Sequence, residues 1–161
     1  MTSMREHREK PHELRLDLPA AHSAERMARA VLRRFAQGEG VAAAEIEKLE
    51  FVASELLSNA VDHGGGERAM EESDRPGDVR MSVVLAITDA GWTLEVGDQG
   101  GGDPADVEGL LPGENPPDLE DERGRGFFLL ASMLESLTVS KSEDGRGLVF
   151  RAVREHGRAR A

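Results

Sequence analysis

The sequence carries a carboxylate and an amide one helical turn apart, Glu55 and Asn59, in the run ELLSNAVDHG that ends at Gly64. Residues four apart stack on the same face of a helix, so these two side chains share a face beside the apolar stripe. A carboxylate there can accept a proton, and an amide oxygen one turn away can hold a hard cation such as Mg²⁺. The same spacing is also typical of a polar helix flank closed by a glycine.

A second carboxylate, Asp98, follows the clearest strand pattern in the chain. Apolar residues alternate from Val79 to Ile87 and again from Trp92 to Val96, which predicts a hairpin with one buried face and a turn at residues 89–91. Asp98 continues the phase of the buried residues and therefore points inward. A carboxylate directed there needs a donor. The exocyclic amino group of a purine is one, and a backbone N–H of the following turn is another.

Glycines frame the long segment that follows this hairpin. Residues 99–125 are predicted to form a loop that begins with glycines 100 to 102 and ends at Gly124, Arg125 and Gly126. An apolar helix is predicted next, from Phe127 to about Ser136. Glycines at a helix start let phosphate oxygens reach backbone N–H groups, where the helix dipole also favours an anion. A simple flexible joint is the alternative.

Other elements must hold these residues in place. Alternating leucines predict a short strand at 14–18, ended by Pro19. Helical periodicity predicts a helix from an N-cap at Ser23 to about Gln37, and a second from about Ala42 to His63. Residues 64–78 are predicted to be a flexible connection. The chain is predicted to close with a hairpin of strands 137–140 and 148–153.

The first helix has a basic face in an otherwise acidic protein. Its arginines are Arg26, Arg29, Arg33 and Arg34. Such a face is usually a solvated surface, and a docking surface for a partner protein is the other interpretation.

Composition limits the classes of function. The 161 residues predict one domain at 12–153, with a disordered tail at 1–11 and a frayed tail at 154–161. The net charge of −11 argues against direct binding of nucleic acid, which depends on clustered Lys and Arg. The chain has no cysteine, and its apolar runs are too short for a membrane span or a signal peptide. These features are compatible with the cytoplasm.

Three motifs in chain order carry a family resemblance: ELLSNAVDHG on a helix, VGDQGGG after a hairpin, and GRGFFLL opening a helix. They resemble the GHKL ATP-binding fold shared by gyrase, Hsp90, histidine kinases and MutL. They are most similar to its stand-alone branch, the bacterial anti-sigma factor serine/threonine kinases. The resemblance implies a two-layer α/β sandwich, with a mixed, largely antiparallel sheet backed by helices and ATP between the helices and a lid.

The resemblance also implies roles for single residues. Asn59 matches the asparagine that binds Mg²⁺, and Glu55 matches the acidic residue taken as general base. Asp98 matches the aspartate that receives the adenine amino group. The lid glycines are matched by Gly100, Gly102, Gly124 and Gly126.

Two arginines could approach the γ-phosphate by position alone, namely Arg123 and Arg125. His63 is assigned to packing or capping at the helix end. The lid carries an acidic run at 114–122, which is expected to stay solvated or to face a basic partner.

By this resemblance the protein would bind ATP or ADP with Mg²⁺, hold a sigma factor inactive, and phosphorylate an anti-sigma antagonist of the STAS type. The Arg face around Arg26, Arg29 and Arg33 could dock a partner or support a homodimer. Two alternatives remain open: a nucleotide-binding module that sequesters a partner without catalysis, and a detached histidine-kinase-type ATPase domain.

Overall fold

The computed structural model describes residues 10–63, 79–111, 120 and 122–155. The elements in chain order are β1 (His12–Pro19), α1 (His22–Gly38), α2 (Ala43–Asp62), β2 (Arg80–Thr88), β3 (Gly91–Gly97), α3 (Pro104–Glu108), α4 (Glu122–Met133), β4 (Ser136–Lys141) and β5 (Leu148–Glu155). Three predicted segments lie outside the described residues: the connection at 64–78, most of the acidic run at 114–122, and both tails. Of the tails, only residues 10, 11, 154 and 155 are described.

The strands form one five-stranded sheet in the order β1-β2-β3-β5-β4. Each neighbouring pair is antiparallel. Strand β3 is central because it pairs with β2 on one side and with β5 on the other. That pairing sets Gly97 opposite Val149, so the end of β3 meets a part of the chain some fifty residues away in sequence.

The helices cover one face of the sheet and bury the core against it. Alternate strand residues point into this core, among them Leu85, Trp92, Leu94 and Phe150. Helix α2 supplies the largest share of the helical side, with eight buried residues from Ile46 to Val61. The predicted two-layer α/β sandwich is confirmed.

The segment predicted as one long loop is partly helical. Asp103 caps α3 by accepting a hydrogen bond from the N–H of Ala105, and α4 begins at Glu122, so Gly124 and Gly126 lie inside a helix and not before it. Glycine disfavours helix, but tertiary packing overrides propensity. Here Phe127 is fully buried and stacks on Phe150 of β5, with ring centroids 5.5 Å apart.

Several element ends differ from the prediction by a few residues. Helix α1 begins at His22 with Ala21 as N-cap, so the predicted cap at Ser23 is wrong. Helix α4 ends at Met133 and Ser136 already belongs to β4. Strand β5 continues to Glu155 because Arg154 and Glu155 pair with the first residues of β3.

Within the described residues, no helix is both long and apolar enough to cross a lipid bilayer.

Candidate functional site

Helix α2 presents Glu55 and Asn59 at the edge of its buried face. Both side chains are half-buried, while Leu56 and Ala60 beside them are buried. Neither side chain makes a hydrogen bond or ion pair with the described part of the chain. Two half-buried polar groups, one turn apart and without partners in the described part of the chain, are available to bind a ligand.

The N-terminal part of α4 lies against Glu55. A Cβ added to Gly126 would stand 3.1 Å from Glu55 Oε2, which is tighter than an ordinary van der Waals contact. The glycine therefore lets the helix backbone approach the carboxylate. This contact places the GRGFFLL motif beside the ELLSNAVDHG motif, as the resemblance implies.

Arg154 fixes the directions of α2 and α4. Its guanidinium donates to both carboxylate oxygens of Glu45, at 3.0 and 2.9 Å, and to the carbonyl oxygen of Met133 at 2.7 Å. The start of α2 and the end of α4 thus meet at one residue of β5, which lies opposite Trp92 at the start of β3. The end of α2 and the start of α4 must then lie together at the other end of the sheet.

Asp98 lies at that same end. From the Arg154 contact, Asn59 is about 21 Å along α2 at the usual helical rise, and Asp98 is about 20 Å along β3 at the usual strand rise. Helix α2 packs on β3. Both residues therefore lie away from the Arg154 contact, toward the ends of α2 and β3.

Asp98 points inward, as its phase predicts, and is 9% exposed. Its Oδ1 accepts hydrogen bonds from the backbone N–H of Gly100 at 3.0 Å and of Leu148 at 3.2 Å. The donor in the following turn is therefore present, and both bonds fall on one oxygen. Within the described residues Oδ2 has no partner, so it can still accept a hydrogen bond from a ligand amino group.

Gly147 makes this arrangement possible, and sequence reasoning missed it. A Cβ at Gly147 would lie 1.9 Å from the carbonyl oxygen of Asp98 and 2.6 Å from its Oδ1. The sequence marks residue 147 only as part of a glycine-containing turn. Its function depends on the β3–β5 pairing, which nothing near it in the sequence reveals.

The first glycine run is attached to the turn between β4 and β5. The N–H of Gly101 donates to the carbonyl oxygen of Arg146 at 2.7 Å, and Lys141 Nζ donates to the carbonyl oxygen of Gly102 at 3.0 Å. Gly100 uses its N–H on Asp98. This end of the predicted lid is therefore anchored beside Asp98.

The two arginines predicted to approach the γ-phosphate, Arg123 and Arg125, differ in their surroundings. The guanidinium of Arg123 lies over the ring of Phe127, 5.5 Å from its centroid. Arg125 is exposed and precedes Gly126, which lies against the Glu55 carboxylate. Arg125 is thus the one free to turn toward an anion.

His63 is the C-cap residue of α2, and its backbone N–H donates to the carbonyl oxygen of Asn59 at 2.9 Å. The predicted capping position of His63 is confirmed.

A row of polar contacts, the polar seam, joins α1 to α2. Its four pairs are His22–Asp62, Glu25–Ser58, Arg29–Ser54 and Arg33–Glu50. Two of the four arginines of the predicted basic face are therefore engaged within the protein. Arg26 and Arg34 remain exposed, without partners among the described residues.

His22 makes stability depend on pH. Its two ring nitrogens lie 3.2 Å from Glu25 and 3.0 Å from Asp62. The hydrogen bond to Glu25, opposed by partial burial and helped by the charge of Asp62, raises the pKa of His22 above its ordinary value of 6.5. Because the folded pKa exceeds the unfolded one, this contribution is complete below the unfolded pKa and is lost as the pH rises through the folded pKa.

The free energy of unfolding should therefore fall between about pH 6 and pH 8, and His22→Gln should flatten that fall. Urea denaturation across this range measures it. His12→Gln is a control, since His12 pairs with Glu39 at the other end of α1. Equal pH slopes in the wild type and His22→Gln would contradict the prediction.

Two concavities of the protein lie mainly on the outer face of the sheet. One of about 380 Å³ opens on the outer face of the sheet, and none of the predicted site residues lines it. A second, of about 370 Å³, includes Asp98 but is otherwise lined by residues such as Ser82 and Val149 on that outer face. The end of α2 with the start of α4 is the better candidate site, because Glu55 and Asn59 have no side-chain partner among the described residues.

These residues fit a magnesium nucleotide. The unpartnered amide of Asn59 can bind a hard cation, the open oxygen of Asp98 can accept from an amino group, and the backbone at Gly126 is bare where a side chain would fill the space beside Glu55. In the described residues no group of three or more His, Asp or Glu could hold a metal ion.

Comparisons with known proteins agree with this fold. A family model described as "Histidine kinase-like ATPase domain" matches residues 18–152. A curated relative, the anti-sigma F factor of Clostridium acetobutylicum, is 28% identical over 141 residues, which cover 84% of this chain and 88% of the relative.

Two solved structures share the fold at 18% identity. The first contains the RsbU and RsbW domains of Rv1364c from Mycobacterium tuberculosis, with a TM-score of 0.56, and the match covers 93% of this chain but only 35% of that one. The second is the SiaB-SiaC complex from Pseudomonas aeruginosa, with a TM-score of 0.57 and 90% of each chain covered.

Proposed function

The chain belongs to the histidine kinase-like ATPase domain family, and from that premise we propose that it is an ATP-binding anti-sigma factor that phosphorylates a serine or threonine of a small antagonist protein. One observation carries the proposal: the start of α4 lies against Glu55 of α2 at Gly126, and the side chains of Glu55 and Asn59 are unpartnered among the described residues. The likeness to a protein named anti-sigma F factor supports the choice of a sigma factor as partner.

Each site residue has a proposed role that fits its chemistry. Asn59 would hold Mg²⁺ through its amide oxygen, and Asp98 Oδ2 would accept the adenine amino group. The backbone at the start of α4 and the exposed Arg125 would face the phosphates, because the positive end of the helix dipole lies there. Bound ATP and Mg²⁺ would supply the phosphoryl group and neutralise its charge.

Glu55 would accept the proton of the attacking hydroxyl. Its carboxylate has no hydrogen bond within the described residues, so no protein donor has to be displaced before it acts. Gly126 lets the start of α4 lie directly against that carboxylate. Base and phosphate-binding backbone would then stand side by side, as phosphoryl transfer by positioning requires.

The partners would be a sigma factor and an antagonist of the STAS type. The likeness to a chain of the SiaB-SiaC complex supports binding of a second protein by this fold. On this chain, the exposed Arg26 and Arg34 of α1 offer a basic surface on an acidic molecule. A homodimer through the same helix remains part of the proposal.

The test of the proposal is transfer of label from γ-labelled ATP to a purified candidate antagonist, followed by phosphoamino-acid determination. Acid-stable phosphate on serine or threonine is the expected result. Nucleotide binding without transfer to any antagonist that the protein binds would instead indicate a binding module. Acid-labile phosphate on the acceptor would indicate a histidine-kinase-type ATPase domain.

Asp98→Asn should weaken MgADP binding by about 10- to 100-fold while leaving the fold intact. The asparagine oxygen can keep the backbone bonds to Gly100 and Leu148, but its amide nitrogen would then face the adenine amino group, donor against donor. Titration calorimetry measures the dissociation constants of MgADP and MgGDP for the wild type and for Asp98→Asn.

Asp103→Asn is the matched control, since asparagine also caps a helix and Asp103 serves only α3 in the described structure. Asp98→Asn with unchanged MgADP affinity would remove Asp98 from the base-binding role.

A further inference from the structure

Glu25 is a buried carboxylate that the proposed reaction does not use. Its side chain is 12% exposed, and Ala24 and Ala28 of the same helix are buried around it. No Lys or Arg among the described residues pairs with it; its partners are Ser58 Oγ, which donates at 2.9 Å, and the ring of His22 at 3.2 Å. Burying such a group costs stability compared with an apolar side chain unless polar partners hold it.

These contacts bracket Asn59. Ser58 precedes it directly, and Asp62, which the other ring nitrogen of His22 contacts at 3.0 Å, follows it by less than one turn. Successive helical residues are about 100° apart around the axis. Contacts that hold residues 58 and 62 against α1 therefore fix how far residue 59 is turned toward α4.

The last turn of α2 needs such support. The helix ends at Asp62, three residues after Asn59. Terminal turns fray, because their last carbonyl groups lack helical partners. Apolar contacts at Leu57 and Val61 hold the helix on the core, but they tolerate small rotations that a hydrogen bond does not.

We propose that Glu25 is a positioning residue: through Ser58 it sets the rotation of the last turn of α2 and so holds the Asn59 side chain toward the metal of a bound nucleotide. The inference rests on the proposed nucleotide site. It predicts that loss of the Glu25–Ser58 hydrogen bond weakens the magnesium-dependent part of nucleotide binding and has little effect on binding of the base.

Three variants and one control test the proposal. Ser58→Ala removes the donor and favours helix, so the protein should still fold. Ser58→Thr restores the hydroxyl, and Glu25→Gln keeps an oxygen for Ser58 while removing the charge that faces His22. Glu50→Gln is the control, because it removes the charge from another pair of the polar seam, with Arg33, more than two turns from Asn59.

Two measurements give the result. Calorimetry compares MgADP with ADP in EDTA, and hydrogen exchange of the nucleotide-free protein follows amides 59–62. Ser58→Ala should bind MgADP about tenfold more weakly, as expected for one hydrogen bond, and Glu25→Gln about threefold more weakly. Both should exchange amides 59–62 faster than wild type. Ser58→Thr and Glu50→Gln should resemble wild type in each respect.

Ser58→Ala with the same MgADP affinity as Glu50→Gln would overturn the inference, as would equal losses with and without magnesium. Those outcomes leave the proposed function standing, since wild type still binds. Wild-type protein that binds no MgADP would overturn the nucleotide site and this inference together.

Discussion

Glu55→Gln should lower the rate of phosphate transfer to the antagonist by about 10²- to 10⁴-fold, the usual contribution of a positioned general base. Glutamine keeps the shape that packs against Gly126 but cannot take the proton of the attacking hydroxyl. The half-buried side chain makes no hydrogen bond within the described residues. MgADP affinity should therefore stay within about threefold of wild type, because no binding contact is removed.

Glu47→Gln is the matched control, since Glu47 is an exposed carboxylate two turns earlier on the same helix. Single-turnover transfer from labelled ATP, with calorimetry on the same samples, separates the rate of chemistry from binding. Transfer that continues at the wild-type rate in Glu55→Gln would exclude Glu55 as the base. A loss of transfer and of MgADP binding together would assign Glu55 to nucleotide binding.

Gly147→Ala should destabilise the protein by about 3 kcal/mol, because the new Cβ would meet backbone that cannot move without disturbing β3. The nearest atoms are the carbonyl oxygen and carbon of Asp98, at 1.9 and 2.5 Å. Relief of this clash has to shift Asp98 itself. We expect MgADP affinity to fall about tenfold or more even at temperatures where the variant is folded.

Thermal unfolding should show the loss as a decrease in Tm of about 6–12 °C for a domain of this size. Gly109→Ala is the control, since Gly109 ends α3 with a negative φ and no atom of the described residues lies within 4 Å of the added Cβ. A Gly147→Ala protein as stable as Gly109→Ala would mean that the β4–β5 turn does not press on Asp98. Normal stability with weakened binding would confine the role of Gly147 to the site.

Much of the secondary structure can be predicted because it depends on local patterns. The alternation from Val79 to Val96 indicates a hairpin, and the structure has β2 and β3 there. The three- and four-residue spacing along α2 predicts its length to within one residue at each end. The prediction for α4 begins too late, since the first two turns of this helix contain Gly124 and Gly126, which are poor helix formers. Packing of Gly126 on Glu55 and of Phe127 on Phe150 supports the helix there.

Which residues have the chemistry for a nucleotide site follows from the amino-acid sequence. The carboxylates, the amide and the glycines can be recognised from their local spacing, without knowledge of distant residues. Helix and strand periods place Glu55 beside Asn59 and turn Asp98 inward. Which other residues contact these groups is decided by tertiary packing. The Arg154 contacts bring α2 and α4 together, the β3–β5 pairing sets Gly147 against Asp98, and the α1–α2 packing sets Glu25 against Ser58. Such contacts join residues as far apart as 33 and 109 positions, and no local pattern encodes which distant surfaces will pack.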